Sequence, residues 1–254
     1  MTIHDFLGLN GKTLLVTGAS TGIGAACALE ASRYGARVAL LARREPALRE
    51  LEATLTGDGH LVVPYDLADL DGIPDLVRTV SDRMGRLDGM VHAAGAHSTV
   101  PLRSMRHGDI SSMFETNVTT AFMLAKGFRH KSVRGAKPSI VFIASAVGLV
   151  GQPGVSIYSA TKGALITLTK SLALELAREG IRVNCVCPGV VMTRMTQALR
   201  EQIGAENFQA VTDAHPLGLG QPEDVAKAAL YLVSEASQWM TGSSLVLDGG
   251  YTAK

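Results

Sequence analysis

A tyrosine and a lysine stand four residues apart in Tyr158-Ser-Ala-Thr-Lys162, at the head of an apolar stripe that runs through Leu165, Leu168, Leu172 and Leu176. On a helix this spacing puts both side chains on one face, where the ammonium charge favours the phenolate and lowers a phenol pKa that starts near ~10. A tyrosine tuned in this way gives a proton to a carbonyl oxygen, or takes one from an alcohol, near neutral pH. The pair by itself equally describes ordinary pairing on a helix surface, so the reading needs partners. Ser145 supplies one: it ends the apolar run Ile140-Val-Phe-Ile-Ala-Ser145, thirteen residues before the tyrosine. An α/β sheet presents ligands at the carboxyl ends of its strands, and a hydroxyl there can bond a substrate oxygen.

A second constellation lies near the amino terminus. The apolar run Thr13–Val16 passes directly into Thr17-Gly-Ala-Ser-Thr-Gly-Ile-Gly24 and then into a helical pattern beginning at Ala25. Glycines at 18, 22 and 24, with Ile23 between the last two, let the backbone turn tightly and approach a pyrophosphate. Free amides and the dipole of the following helix stabilise its charge, and Ser20 and Thr21 add hydroxyls. A structural turn with close helix packing would use the same glycines, so the setting between strand and helix carries the reading. After the next apolar run comes Leu41-Ala-Arg-Arg44, where enzymes selective for NAD usually place Asp or Glu against the ribose hydroxyls. Ala42 leaves room, and Arg43 first, Arg44 second, can make charge-assisted bonds to a 2′-phosphate. This chemistry selects NADP(H), with NAD(H) as the alternative; a solvated basic helix start is the plainer use of the two arginines.

The elements that must position these groups are legible as alternation. Short β-rich runs at 13–16, 38–41, 61–63, 90–91, 140–143, 183–186 and 245–247 alternate with helical patterns at 25–34, 46–55, 73–84, 110–129 and 159–178. Strand and helix in alternation predict a doubly wound parallel sheet of about seven strands with helices on both faces. No linker or repeat interrupts the pattern, so residues 1–254 read as one dinucleotide-binding and catalytic domain. The long strandless stretch between Pro188 and Pro222 reads as a substrate lid around 190–215, or else as an amphipathic pair of surface helices.

Composition excludes other classes. Apolar residues are 46% and charged residues 19%, which fits a large core. A net charge of +1 offers no pull toward nucleic acid or an anionic membrane. Met1 to Asn10 lacks the basic and apolar parts of a secretory signal, and no run reaches the ~20 apolar residues of a membrane span, so a cytoplasmic protein is expected. Cys27, Cys185 and Cys187 come without further ligands at metal spacing and read as buried thiols, with no metal and no disulfide.

The glycine pattern G-x-x-x-G-x-G after a threonine, with Ser145 and Tyr-x-x-x-Lys in order behind it, resembles the main branch of the short-chain dehydrogenase/reductase family. In style the chain is closest to its 3-oxoacyl-carrier-protein reductases. The resemblance implies a Rossmann-type fold and a tetrad of Asn117, Ser145, Tyr158 and Lys162, in which Asn117 orders a water chain and Lys162 also holds the nicotinamide ribose. It places Asp66, with Leu67, at the adenine, although Asp66 could also cap the next helix. It places Ala94 and Gly95 beside the cofactor, and Pro188, Gly189, Val191 and Thr193 along the nicotinamide, Thr193 at its carboxamide. Two departures stand out: His92-Ala93 replaces Asn-Asn, costing a carboxamide that ties strands together, and Pro216-Leu-Gly-Leu-Gly220 is short and lacks an arginine. His92 reads as a packed or loop histidine rather than a catalyst. The implied reaction is reduction of a ketone or aldehyde by NADPH, on a small molecule or an acyl thioester, by a homo-oligomer, tetramer or dimer. Alcohol or sugar oxidation with NAD is the alternative, and a non-catalytic dinucleotide sensor a further one. The basic stretch Arg129-His-Lys131, with Arg134 and Lys137, either greets an acidic carrier protein or is a solvated helix end.

Overall fold

In the computed structural model, which describes residues 6–253, the seven apolar runs form one sheet. The strands are β1 (Thr13–Thr17), β2 (Arg37–Ala42), β3 (Leu61–Pro64), β4 (Leu87–His92), β5 (Arg134–Ile143), β6 (Arg182–Pro188) and β7 (Ser244–Leu247). All pair in parallel, in the order β3-β2-β1-β4-β5-β6-β7. The order reverses between β1 and β4, and that switch point opens a crevice at the carboxyl ends of the strands. Residues Met1–Asp5 of the segment read for a leader lie outside the described residues.

The helices are α1 (Gly22–Arg33), α2 (Glu45–Glu52), α3 (Ile73–Met84), α4 (His107–Phe114), α5 (Thr120–Phe128), α6 (Ser156–Leu176), α7 (Arg194–Ile203), α8 (Ala205–Asp213) and α9 (Pro222–Val233). They cover both faces because strand side chains alternate. Leu15 packs with Val77, Leu124 and Leu165 of α3, α5 and α6 on one face. Its neighbours Leu14 and Val16 pack with Ala28 of α1 and Leu230 of α9 on the other. Both faces are apolar, so the strands read as continuous hydrophobic runs.

Two elements differ from the sequence pattern. The run 90–91 is the end of a six-residue strand that starts at Leu87. Asp88 and Gly89 hide it: Asp88 accepts the Thr13 amide at 2.9 Å, and a β-carbon at Gly89 would come within 2.8 Å of Leu14. The single helix expected over 110–129 is broken into α4 and α5 by a π turn at Glu115–Thr119. Asn117 sits in that turn, which widens the helix where it faces the site. Cys27, Cys185 and Cys187 are buried free thiols. Among the described residues no helix is long and apolar enough to cross a membrane.

Candidate active site

A cavity of about 950 Å³ runs along the carboxyl ends of the strands, touching Gly18 after β1, Arg43 after β2, Asp66 after β3, Ala94 after β4, Ser145 after β5 and Gly189 after β6. One end lies over the glycine turn. Gly18 has φ +69°, and a β-carbon there would stand 2.7 Å from the Ala94 amide nitrogen, so only glycine lets the β1 and β4 exits touch. Gly22, at φ +57°, lies against Thr193, whose Cγ2 would be 3.3 Å from an added β-carbon. Thr21 is the extended N-cap of α1, and its hydroxyl makes no capping bond. The first amides of α1 thus face the cavity, with Ser20, Ile23 and Gly24 on its lining. These are the dimensions of a dinucleotide cradle: bare backbone, a helix N-terminus, and no β-carbon in the way.

Arg43 and Arg44 are exposed on the cavity rim, and Arg44 is the N-cap of α2, the helix start read from the sequence. Asp66 and Leu67 line the same end. Asp66 does not cap the next helix, which starts from Gly72; its carboxylate accepts the Ala68 amide in a turn at 3.1 Å. Beside position 93, where the family's carboxamide is missing, Thr17 joins two strands. Thr17 Oγ1 accepts the Ala94 amide at 3.2 Å and meets His92 Nδ1 at 2.7 Å, which joins β1 to β4 at the switch point. His92 is buried edge-on against Phe142, and burial with the nearby Lys162 charge pushes its imidazole down to about 3. It is a packed neutral side chain.

Ser145, Tyr158 and Lys162 meet at the middle of the cavity. Ser145 follows β5 and its oxygen accepts the Val147 amide at 3.4 Å, capping a short turn. Tyr158 is in the first turn of α6, and Lys162 lies one turn on, its Nζ 5.5 Å from the tyrosine ring centroid. The ammonium donates to the Ile143 carbonyl at 2.8 Å. The expected lowering of the phenol is not what the protein alone produces. Burial pushes Tyr158 up to about 12, against the smaller downward pull of its hydrogen bond with Ser145. The lysine is over the ring rather than at the oxygen, and desolvation wins. The same burial lowers Lys162 to about 8. At neutral pH the site therefore holds a protonated phenol beside a cation, the state that donates a proton.

Asn117 is the one predicted site residue not on the cavity wall. Its carboxamide stands behind it: Oδ1 accepts the Ala96 amide at 2.8 Å, while Nδ2 donates to the Ala96 carbonyl and to Thr161 Oγ1, each at 3.0 Å. Gly95 makes room, since a β-carbon would stand 3.2 Å from Asn117 Oδ1. Asn117 thus clamps the β4 exit onto α6. Pro188, Gly189, Val191 and Thr193 line the wall beyond β6. Thr193 is also the N-cap of α7, accepting the Thr196 amide at 3.4 Å.

The far end is roofed by α7 and α8, the stretch read as a lid or a helix pair, with Met195, Leu199 and Val211 turned inward. Two histidines at this end were not picked out from the sequence. His215 accepts the Val190 amide at 3.1 Å, donates to the Val211 carbonyl at 2.8 Å, and stacks on Tyr251 at 4.8 Å. It staples the roof to the β6 exit. His97 stands edge-on to the Tyr158 ring, 4.6 Å between centroids. The signal for it was a titratable residue two places after Gly95. On the outer surface, Arg129 and Arg134 both pair with Glu179, so that basic stretch is partly neutralised within the chain.

This is the doubly wound fold of dinucleotide-binding α/β proteins, with a polar cluster over its switch point. Residues 18–252 match the sequence family described as Enoyl-(Acyl carrier protein) reductase. A 3-oxoacyl-[acyl-carrier-protein] reductase from Chlamydia pneumoniae is 36% identical over 96% of this chain and 98% of its own. Gluconate 5-dehydrogenase from Gluconobacter oxydans is 33% identical over 99% of each. The crystal structure of a dehydrogenase/reductase from Sinorhizobium meliloti superposes with a TM-score of 0.86 at 32% identity, over 98% of both chains. The chain belongs to the short-chain dehydrogenase/reductase family. Membership makes it an oxidoreductase of CH–OH and C=O groups that works with a nicotinamide dinucleotide.

Proposed function

We propose that this enzyme reduces a ketone or aldehyde to an alcohol at the expense of NADPH, with Tyr158 as the proton donor. The observation that carries the reading is the meeting of Ser145, Tyr158 and Lys162 at the middle of a cavity that runs back to the glycine turn and Arg43. The nicotinamide supplies the hydride when bound. Tyr158, protonated at neutral pH because burial holds it near 12, gives its proton to the carbonyl oxygen. Ser145, on the cavity wall with Tyr158, holds that oxygen in place. The Lys162 charge stabilises the phenolate left behind. Asn117 keeps Gly95 and Ala96 pinned so that the wall beside the dinucleotide does not move. At the other end, Arg43 and Arg44 bind the 2′-phosphate, Asp66 and Leu67 receive the adenine, and the α1 amides meet the pyrophosphate.

The same groups run the reverse oxidation, and the similarity to gluconate 5-dehydrogenase favours keeping a sugar-like alcohol in the panel. The similarity to 3-oxoacyl-carrier-protein reductases favours an acyl thioester. We further infer a homo-oligomer: Phe122 of α5 and Leu174 of α6 are large apolar side chains left 49% and 80% exposed on helices next to the site. The test is loss of reduced-nicotinamide absorbance with NADPH and NADH against 3-oxoacyl thioesters, simple ketones, diketones and keto-sugars, and its gain with NADP and NAD against sugar-like alcohols, with Tyr158→Phe as control. Turnover with NADPH that the variant lacks supports the reading. A clear preference for NADH removes the role of Arg43, and cofactor binding without turnover in either direction would leave a dinucleotide sensor.

A further inference from the structure

The substrate end of the cavity is apolar along its roof, with Met195, Leu199, Val211 and Ala214 facing in. His215 and Tyr251 are there too, but His215 has both ring nitrogens committed to backbone and its face to Tyr251. His97 is different. It is half-buried on the cavity wall, its ring lies 4.6 Å from the Tyr158 ring at an interplanar angle of 70°, and among the described residues neither of its nitrogens has a hydrogen-bond partner. Its backbone is not free to drift, because the preceding residue, Ala96, is held at both its amide and its carbonyl by the Asn117 carboxamide. A pinned, polar, unpartnered ring beside the proton donor is an arrangement for contacting the substrate.

We infer that His97 is a specificity-determining residue that hydrogen-bonds a second oxygen of the substrate, one carried close to the reacting carbonyl, so that the preferred substrates are oxygenated carbonyl compounds such as hydroxyketones, diketones or keto-sugars. This rests on the carbonyl-reductase reading above and narrows its substrate class. His97 and Tyr158 line one wall with their rings in contact, so a carbonyl bonded at Tyr158 lies beside His97, and a plain ketone offers that ring nothing. Burial and the Lys162 charge hold the imidazole below its usual pKa. It therefore meets the substrate neutral, with one nitrogen to donate and one to accept, and takes either a hydroxyl or a carbonyl. A site built around such a bond discriminates against analogues that lack it, because a polar group is then left unpaired.

The experiment compares 3-hydroxy-2-butanone with 2-butanone in the wild type, His97→Phe and His97→Asn. Phe keeps a ring against Tyr158 and removes the hydrogen bond; Asn keeps polar capacity. The expected result is a kcat/KM for the hydroxyketone at least ~10-fold above that for the plain ketone, a ~10- to 100-fold loss in His97→Phe confined to the hydroxyketone, and partial recovery in His97→Asn. Equal losses on both substrates, or none on either, would overturn the inference. A second arm needs no turnover: the His97 imidazole signals, assigned by their disappearance in His97→Phe, are followed by NMR in the full chain with 2,3-butanediol and with 2-butanol. A shift given by the diol and not by the monoalcohol supports the role; matching responses, or none, sink it. Failure of the whole carbonyl panel to consume NADPH would fall on the function proposed above, while this arm still decides the role of His97.

Discussion

The two ends of the cavity are built from different materials. The end we assign to the dinucleotide is backbone: Gly18 against Ala94, Gly22 against Thr193, and the open N-terminus of α1. The end we assign to the substrate is side chain: Met195, Leu199 and Val211 on two short helices, tied back through Thr196 to the Val191 carbonyl and through His215. Backbone contacts cannot be re-tailored without moving a strand, whereas side chains on a roof change one at a time. One end can thus stay a fixed dinucleotide seat while the other varies.

The proposed catalytic cluster of Ser145, Tyr158 and Lys162 lies between them, and the largest expected effect is there. Tyr158→Phe removes the proton donor and keeps the ring, so kcat/KM should fall by ~10²- to 10⁴-fold with the melting temperature almost unchanged. Loss of activity accompanied by loss of cofactor binding would mean the two ends are not separable at this residue. Next in size is the seat. Gly18→Ala puts a β-carbon 2.7 Å from the Ala94 nitrogen at a φ of +69°, which should cost about 1–3 kcal/mol of stability and weaken NADPH binding together. Denaturant unfolding and cofactor titration on the same sample check it. If stability holds while binding falls, the glycine serves the ligand and not the strand contact.

Much of this was readable from residue order. The glycine turn and Ser145 announce themselves because each follows a strand end directly, and Tyr158 and Lys162 because they open the longest helix, at helical spacing. Helix α3 reads to the residue, 73–84, since its apolar spacing is regular and Gly85 ends it. What pattern could not carry was anything set by contacts across the sheet. The π turn around Asn117 goes with a carboxamide bonded to Ala96 and Thr161, far away in sequence. The start of β4 was masked by Asp88 and Gly89, whose polarity and size are explained only by Thr13 and Leu14 on the neighbouring strand. The upward shift of Tyr158 was equally hidden: four-residue spacing gives proximity to Lys162, but not that the cation turns to the Ile143 carbonyl. His97 and His215 belong to the substrate end, where side chains converge from separate loops and no motif records them.

Arg43 tests how far the seat discriminates. Removing one charge-assisted bond to a 2′-phosphate by Arg43→Ala should raise the KM for NADPH by ~10- to 100-fold and leave NADH within a few-fold, since a guanidinium bond to a charged group contributes about 1.5–3 kcal/mol. Equal changes with both cofactors would reduce Arg43 to rim charge and leave Arg44 as the selecting residue.

The smallest effect is expected from pH, and its sign follows from burial. Lys162 is lowered to about 8, so it is charged below that pH and loses its proton above it, whereas Tyr158, held near 12, stays protonated throughout. The acid is available across the range; what fades above pH 8 is the cation that stabilises the phenolate formed in reduction. The rate of carbonyl reduction should be flat from pH 6 to 7.5 and decline by a few-fold through pH 9, with KM for the carbonyl little changed. Lys162→Arg keeps the charge over this range, so whatever activity it retains should lose the decline. A profile that instead rises with pH would mean the phenolate, not the phenol, is the working form. The Ser145 and Lys162 interactions would then outweigh burial once the dinucleotide is bound, and the enzyme would be set for oxidation.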